Sequence, residues 1–495
     1  MAMMASSFAA SALPLKTIPG SYGPPVIGPL KDRLDYFWFQ GPETFFRHRA
    51  TNHKSTVFRT NIPPTFPFFR RVDPRVIAVV DCAAFRALFD LTLVEKKDVL
   101  VGDFMPSTSF TGDMRVVVYM DPSEQKHAAG KGFCLDLLKR SAGLWESEFL
   151  SSADVMLTVI ERDLTASSSG SAGFLQPLQK CLFAFLCKSI ARTDPAASPE
   201  VGECGFLMLD KWLSLQLLPT VSIGVLQPLE EIFLHSFAYP FALVKGDYQK
   251  LYSFMDKEAQ EVIRIAGEGF GLTKEEAIHN ILFVLGFNAF GGFSVFLPGL
   301  ITTLGRDKTG LQDRLRAEVR GVLAGGRALG FETVREMELV RSTVQEVLRL
   351  NPPVYLQFGR ARRDFVLNSH ETAYQVMKGE LLCGYQTLAM RDPMVFDDPE
   401  AFVADRFVGE KGRRLLDYLY WSNGPETGQP TTANKQCAAK DYVVATACML
   451  VAEIVRRYDD FRCDDSALSI TKLEKAKEGT EAQAASVEAG RPGSR

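Results

Sequence analysis

Apolar positions recur at helical three- and four-residue spacing from about residue 122 to 350, with shorter β-branched runs on either side. TVFR at 56–59 and Val76–Val80, closed by Asp81, predict strands, as do the surroundings of Phe365–Val366 and Leu381–Leu388. A final long helix is expected from about 438 to 457. The most hydrophobic long segment, 278–300, is interrupted by His279, Asn280, Asn288 and glycines at 286, 291, 292 and 299. It reads as a buried core helix, since no stretch approaches the ~18–20 apolar residues of a membrane span. Thr273-Lys274-Glu275-Glu276 ahead of it has capping-box spacing. IPGSYGPPVIGP at 18–29 cannot lie inside a helix or sheet and reads as a rigid lead-in. The polar tail from 465 is expected to be disordered. With no internal repeat, the pattern describes one mainly α domain with small β-sheets over 18–463, a short segment 1–17 and a tail 464–495.

Composition narrows the function. Hydrophobic residues are 46% and charged residues 23% of 495, enough for a large core. A net charge of −3 without a basic run excludes nucleic acid as a partner. Nine cysteines (82, 134, 181, 187, 204, 383, 437, 448, 463) show no C-x-x-C or zinc spacing, which points to a reducing compartment and buried thiols. The first 30 residues lack acids, are rich in Ala and Ser, and hold only Lys16. A short organelle transit peptide and a frayed terminus fit them equally.

Four separated segments carry candidate chemistry. Residues 421–457 bring Cys437 through a Gly/Pro/Asn-rich loop to the start of an apolar helix, where unpaired amides and the helix dipole favour a thiolate. A structural cysteine beginning a core helix is the alternative. Glu346 and Arg349, three apart, can pair on one helix face, either as an ordinary surface pair or within a buried network joined by Arg406. In the 278–300 helix the centre reads Gly286-Phe287-Asn288-Ala289-Phe290-Gly291-Gly292, with neither an acid nor a threonine. Each helical glycine costs about 1 kcal/mol against alanine, so three need a reason. Asn288 is the side chain there able to hydrogen-bond a bound ligand, a capped core asparagine being the alternative.

E-x-x-R at 346–349, the arginine motif around Arg406 and the glycine loop to Cys437, in this order, resemble a cytochrome P-450 from about 18 to 463. The resemblance implies that fold, with haem b between the oxygen-side helix (about 274–300) and the Cys437 loop; close approach of the haem or a bulky acyl chain is then the expected reason for the central glycines, and a peroxide oxygen the expected partner of Asn288. Cys437 would be the axial iron ligand, and Glu346, Arg349 and Arg406 structural braces. Lys435 and Lys96 would meet haem propionates, and Arg115 either does likewise or lies at the surface. Nine additional residues between Trp421/Gly424 and Cys437, the N-K-Q-C sequence, and Ala439 in place of a glycine are similar to the plant branch that rearranges fatty-acid hydroperoxides.

Within that branch the helix GFNAFGGFSVFLP and the loop after Lys96 look like the lyases. Leu100 stands where synthases carry Phe, and Val118 where they carry Ser. Arg360, Arg362 and Arg363 read as a solvated face. The resemblance implies an enzyme needing neither NADPH, dioxygen nor a reductase. It would cleave 13-hydroperoxides of linoleic or linolenic acid into a short aldehyde and a twelve-carbon ω-oxo acid, in the plastid, with peripheral membrane association. An allene oxide or divinyl ether synthase on the same scaffold is the alternative, and a haem- or lipid-binding sensor a more distant one. The sensor would need a second protein ligand to the iron; of the histidines 48, 53, 127, 235, 279 and 370, His279 alone lies near the oxygen-side helix.

Overall fold

The computed structural model describes residues 13–63, 72–224, 227–464 and 468–476. Its frame is a set of long helices with one side buried. Gln125–Ala166 buries Cys134, Leu138, Trp145, Phe149, Met156 and Ile160 at steps of four and seven, the stripe a 3.6-residue period puts on one face. Through the middle runs Lys274–Gly305, one helix of 32 residues. The Thr273 hydroxyl accepts from the Glu276 amide at 3.1 Å while the Glu276 carboxylate accepts from the Thr273 amide at 3.0 Å. This is the expected capping box. Contrary to the sequence expectation, the helix is long and apolar enough to cross a bilayer, with mean hydropathy 1.8. It packs instead against the helices Leu175–Leu186, Pro199–Leu217, Lys245–Glu258 and Glu338–Leu350, and is core.

Room for haem or an acyl chain is the expected reason for the three central glycines; the structure gives two of them another. A Cβ on Gly286 would stand 2.7 Å from Leu209 and 2.9 Å from Trp212, and one on Gly291 2.7 Å from Leu213. The Pro199–Leu217 helix therefore crosses too closely for any side chain. Of the three, Gly292 alone meets nothing within 4 Å. Val284–Phe290, which contains Asn288, winds as a π-turn, a local widening that recurs at functional sites.

A five-stranded sheet flanks the helices. Its order is Val57–Asn61, Arg75–Val79, Leu381–Tyr385, Leu356–Ala361, Val94–Glu95, antiparallel except between Arg75–Val79 and Leu381–Tyr385. Two expectations at the ends need correction. In the segment 1–17, Leu15–Lys16 is not frayed but pairs parallel with Ala373–Val376, which leaves the transit-peptide reading as it was; residues 1–12 lie outside the described residues. The tail is not wholly without structure either: Ser469–Lys475 forms a hairpin with Tyr458–Asp464, burying Ile470. Residues 465–467 and 477–495 lie outside the described residues. The lead-in is irregular only to Val26, where Ile27–Leu34 begins a helix. All nine cysteines are free, six of them buried.

Glu346 and Arg349 are fully buried, not surface, residues. Arg349 donates to both Glu346 oxygens at 2.7 and 2.8 Å, and Arg406 Nε to the same two at 3.0 and 3.1 Å. The second positive charge is absorbed by carbonyls: Arg349 donates to Met390 and Pro399, Arg406 to Asp398 and Ala401. One carboxylate thus organises the 390–406 segment that leads to the Cys437 loop. Glu346→Ala leaves two buried guanidinium groups unpaired and should cost about 3–5 kcal/mol. Denaturant unfolding checks this; a loss under about 1 kcal/mol, the range of an exposed pair, would assign the network no bracing role.

Candidate active site

Residues 421–439 close on themselves before the Lys440–Arg457 helix begins. The Ser422 carbonyl accepts from the Cys437 amide at 2.8 Å, and Asn423 Nδ2 donates to the Lys435 carbonyl at 3.0 Å. The Gln436 side-chain amide fills the interior, donating to the Pro425 carbonyl at 2.7 Å and Ser422 Oγ at 3.1 Å. Gly424 and Gly428 are needed there, because their Cβ atoms would stand 3.0 and 2.8 Å from that side chain. Asn434 Oδ1 accepts from the Thr431 and Gln436 amides. The inserted residues form a self-bonded rim, and its bonds hold Cys437 in place.

Cys437 is partly accessible, yet enough protein surrounds its sulfur that burial raises the thiol pKa. The charge of Lys131, the Ala439 amide and Lys440 pull the other way without overcoming burial. The help expected from the helix N-terminus is present and insufficient alone: desolvation disfavours the charged form.

Three ammonium groups gather around this loop. Lys96 and Lys131 are 4% and 8% exposed. Lys96 Nζ donates to Asn423 Oδ1 at 2.6 Å, and Lys131 Nζ to the Gln436 carbonyl. Lys435, expected to face a propionate, directs its ammonium to the Val118 and Met120 carbonyls at 2.7 and 2.8 Å, with Val117 O at 3.5 Å. Burial, then the neighbouring Lys435, pushes Lys96 down to about 7; burial, then Lys131, does the same to Lys435. None of the three has a carboxylate within ion-pair distance among the described residues. Arg115 is spoken for, pairing with Asp98 at 2.8 Å and Glu124 at 2.7 Å. Arg363 is exposed as expected. Arg362 differs, being half-buried on Asp121 and the Leu91 and Val94 carbonyls; Arg360 pairs with Asp103.

Leu100 and Val118 are half-buried against the main core. Their loop is tied to the central helix, where Asn280 Oδ1 accepts from the Val117 amide at 3.1 Å. His279 is wedged beneath Gly112, whose Cβ would meet its ring at 2.1 Å, and shares a 2.7 Å hydrogen bond with Tyr248. His127 bonds the Thr432 carbonyl. Both histidines are held by protein partners, unlike the second iron ligand a sensor would need. Asn288 differs from Leu285, Gly286 and Phe290, which are buried: it is exposed, and its side chain makes no hydrogen bond among the described residues. Sequence reading missed Lys131, Asn280 and Gln436. Only Lys131 left a trace, a charge three and seven residues ahead of Cys134 and Leu138 on the apolar stripe.

Uncompensated buried cations are costly, and so is a desolvated sulfur that must ionise. A ligand that is at once a Lewis acid for sulfur and an anion for lysine relieves both, and iron porphyrin with its carboxylates is one. Cys437 would take the iron, and Lys96, with hydrogens left beyond the Asn423 bond, a carboxylate. Fold and site fit a haem protein. A family model described as Cytochrome P450 matches residues 271–426. The chain is 57% identical over 466 residues to a Solanum lycopersicum protein named "Fatty acid hydroperoxide lyase, chloroplastic", covering 94% of this chain and 97% of that one. It is 43% identical over 474 residues to "Allene oxide synthase, chloroplastic" of Linum usitatissimum, covering 94% and 87%. The heme domain of a cytochrome P450DA mutant superposes with a TM-score of 0.65 at 16% identity over 94% of this chain and 98% of that one, a likeness of fold. The chain belongs to the fatty-acid hydroperoxide lyase family of cytochromes P450.

One group in the rim makes stability pH-dependent. Burial raises the Glu426 carboxyl to about 7, although Lys440 and a 2.9 Å bond from Trp421 Nε1 lower it. A raised folded pKa gives stability that is complete below the ordinary carboxylate range and lost as pH rises through about 7. Melting temperature should therefore fall between about pH 5 and about pH 8 more steeply in the wild type than in Glu426→Gln. Parallel slopes would clear Glu426 of any part in it.

Proposed function

We propose that this chain is a chloroplast fatty-acid hydroperoxide lyase that cleaves 13-hydroperoxides of linoleic or linolenic acid into a short aldehyde and an ω-oxo acid. The carrying observation is the centre of the 274–305 helix. It has no acid–threonine pair to deliver protons to dioxygen, and presents Asn288 as a free amide at a π-turn. A hydroperoxide already holds oxygen at the peroxide level, so no electron donor or reductase is required. Bound haem b supplies the positive charge that holds Cys437 as thiolate and a ferric centre able to split a peroxide bond homolytically.

The chain's own residues then steer the substrate. The Asn288 amide donates a hydrogen bond to a peroxide oxygen. Homolysis leaves an alkoxyl radical and a hydroxyl, and the alkoxyl closes onto the adjacent double bond as an epoxyallylic carbon radical. Loss of an electron from that radical to the haem, and of a proton to the hydroxyl, which leaves as water, would give an allene oxide. Opening of the epoxide carbon–carbon bond instead gives a vinyl ether radical, and return of the hydroxyl to it gives a hemiacetal, which breaks into the two carbonyl products. Aliphatic Leu100 and Val118 offer neither a π-face nor a hydroxyl to favour the cation, and the hydroxyl return is left as the exit.

Incubation with 13-hydroperoxide in the absence of NADPH, with products read by mass spectrometry, tests this. Cys437→Ser should abolish turnover, and Asn288→Gln should slow it about a hundredfold. Leu100→Phe should shift the aldehyde to allene oxide ratio about tenfold, equivalent to about 1.4 kcal/mol between the exits. A requirement for NADPH, or an allene oxide as the wild-type product, would overturn the reading.

The membrane surface is the expected partner, and one apolar patch suits it. Arg33 pairs with Glu231 at 2.9 Å and Phe37 stacks on His235 at 3.7 Å, joining Ile27–Phe39 to the 227–237 segment. On these joined elements Ile27, Trp38, Phe39, Ile232, Phe233 and Phe237 are exposed, the kind of patch that marks a lipid or protein contact. Phosphatidylcholine vesicles should sediment the wild type and much less of a Phe39→Ser, Phe233→Ser variant. Equal sedimentation would discard the patch as the contact.

A further inference from the structure

The loop that carries Leu100 and Val118 has both its ends fixed on the Cys437 loop. At its start, Lys96 Nζ donates to Asn423 Oδ1 at 2.6 Å, and Asn423 Nδ2 donates to the Lys435 carbonyl at 3.0 Å. At its end, the Lys435 ammonium donates to the Val118 and Met120 carbonyls at 2.7 and 2.8 Å. The Val117–Tyr119 turn is a single 3-10 turn with two local bonds, Tyr119 N–H to Val116 O at 3.0 Å and Met120 N–H to Val117 O at 3.2 Å. Such a turn does not hold its own orientation.

A second element grips the same turn. Asn280, on the central helix, accepts the Val117 amide at 3.1 Å, and its Nδ2 is committed to the Glu276 carbonyl at 2.8 Å. A flipped amide would lose both bonds. The turn is also pressed from a third side, where a Cβ on Gly130 would stand 3.0 Å from Val117. Lys435 lies two residues before Cys437 in the chain, so its side chain links the sulfur-bearing backbone to the backbone of Val118. An ammonium offers three hydrogens to carbonyls; an apolar side chain offers none.

We propose that Lys435 and Asn280 are positioning residues for product choice, holding the Val118 turn in fixed register between the Cys437 loop and the central helix. The proposal rests on the lyase reading above and adds to it how the aliphatic wall at Leu100 and Val118 is kept in place. With the turn released, that wall no longer stays beside the reacting carbon, and the radical can leave by either exit.

Lys435→Met and Asn280→Leu, made in the full haem-loaded chain, test it. Amide hydrogen exchange at residues 117–121 should accelerate about tenfold in both variants. The thiolate-type Soret band of the carbon monoxide complex should persist. With fatty-acid 13-hydroperoxide, KM should rise more than kcat falls, and the aldehyde share of products should drop in both. Lys435→Arg should recover much of that share. Unchanged exchange at 117–121 would overturn the proposal, as would loss of the thiolate band in Lys435→Met with exchange unchanged, since the ammonium would then serve the haem. Faster exchange with an unaltered product ratio would overturn the link to product choice. If Lys435→Met does not fold, Asn280→Leu puts the same question from another element. A wild type that makes no aldehyde at all would sink the lyase reading, while the exchange data would still judge the clamp.

Discussion

Burial around the Cys437 sulfur outweighs the positive charges near it, and much of the surrounding design answers to that. Burial drives its thiol toward the protonated form, against Lys131, Lys440 and the Ala439 amide. The same region holds Lys96, Lys131 and Lys435 with hydrogen bonds and, among the described residues, no carboxylate within ion-pair distance. Left to itself the protein has assembled an electrostatically unfavourable place, with an acid reluctant to ionise and bases pressed toward neutrality. An iron porphyrin bound there would reverse both penalties at once, because metal charge favours the thiolate and carboxylates favour the ammonium groups.

That arrangement needs rigid surroundings, and they come from two sides. Behind the loop, Glu346 gathers Arg349 and Arg406 and fixes the backbone between Met390 and Ala401. In front, the loop's own residues do the work: Gln436 spans its interior, and Lys435 reaches out to the turn that carries Val118. A segment longer than the family norm would ordinarily add freedom. Here the added residues supply internal hydrogen bonds, so length has been converted into stiffness.

What could be read from the sequence follows the range of the interaction. The capping box of Thr273 and Glu276 is contained in four residues and was fully legible. The Cys437 loop and the Glu346–Arg349–Arg406 set were legible as patterns, but burial of the arginine pair became visible only with the chain folded around it. Lys435 was placed in the right neighbourhood, and its carbonyl partners lay more than three hundred residues away, beyond any spacing rule. The tail was misread because SITKLEK buries little beyond Ile470, leaving almost no apolar alternation to reveal a strand. Two of the central glycines, Gly286 and Gly291, were misassigned for a related reason: the bulk they accommodate belongs to Leu209, Trp212 and Leu213, on a helix nearly eighty residues earlier.

Those glycines also limit what the scaffold can become. A methyl at position 286 or 291 would collide with Leu209, Trp212 or Leu213 at under 3 Å, so the helix centre cannot accept new side chains there one at a time. Adding a proton-relay residue at either position would first require the Pro199–Leu217 helix to retreat. A proton relay reached through those two positions thus needs a coordinated repacking of two helices, and Gly292 is the one of the three glycines with room for a side chain.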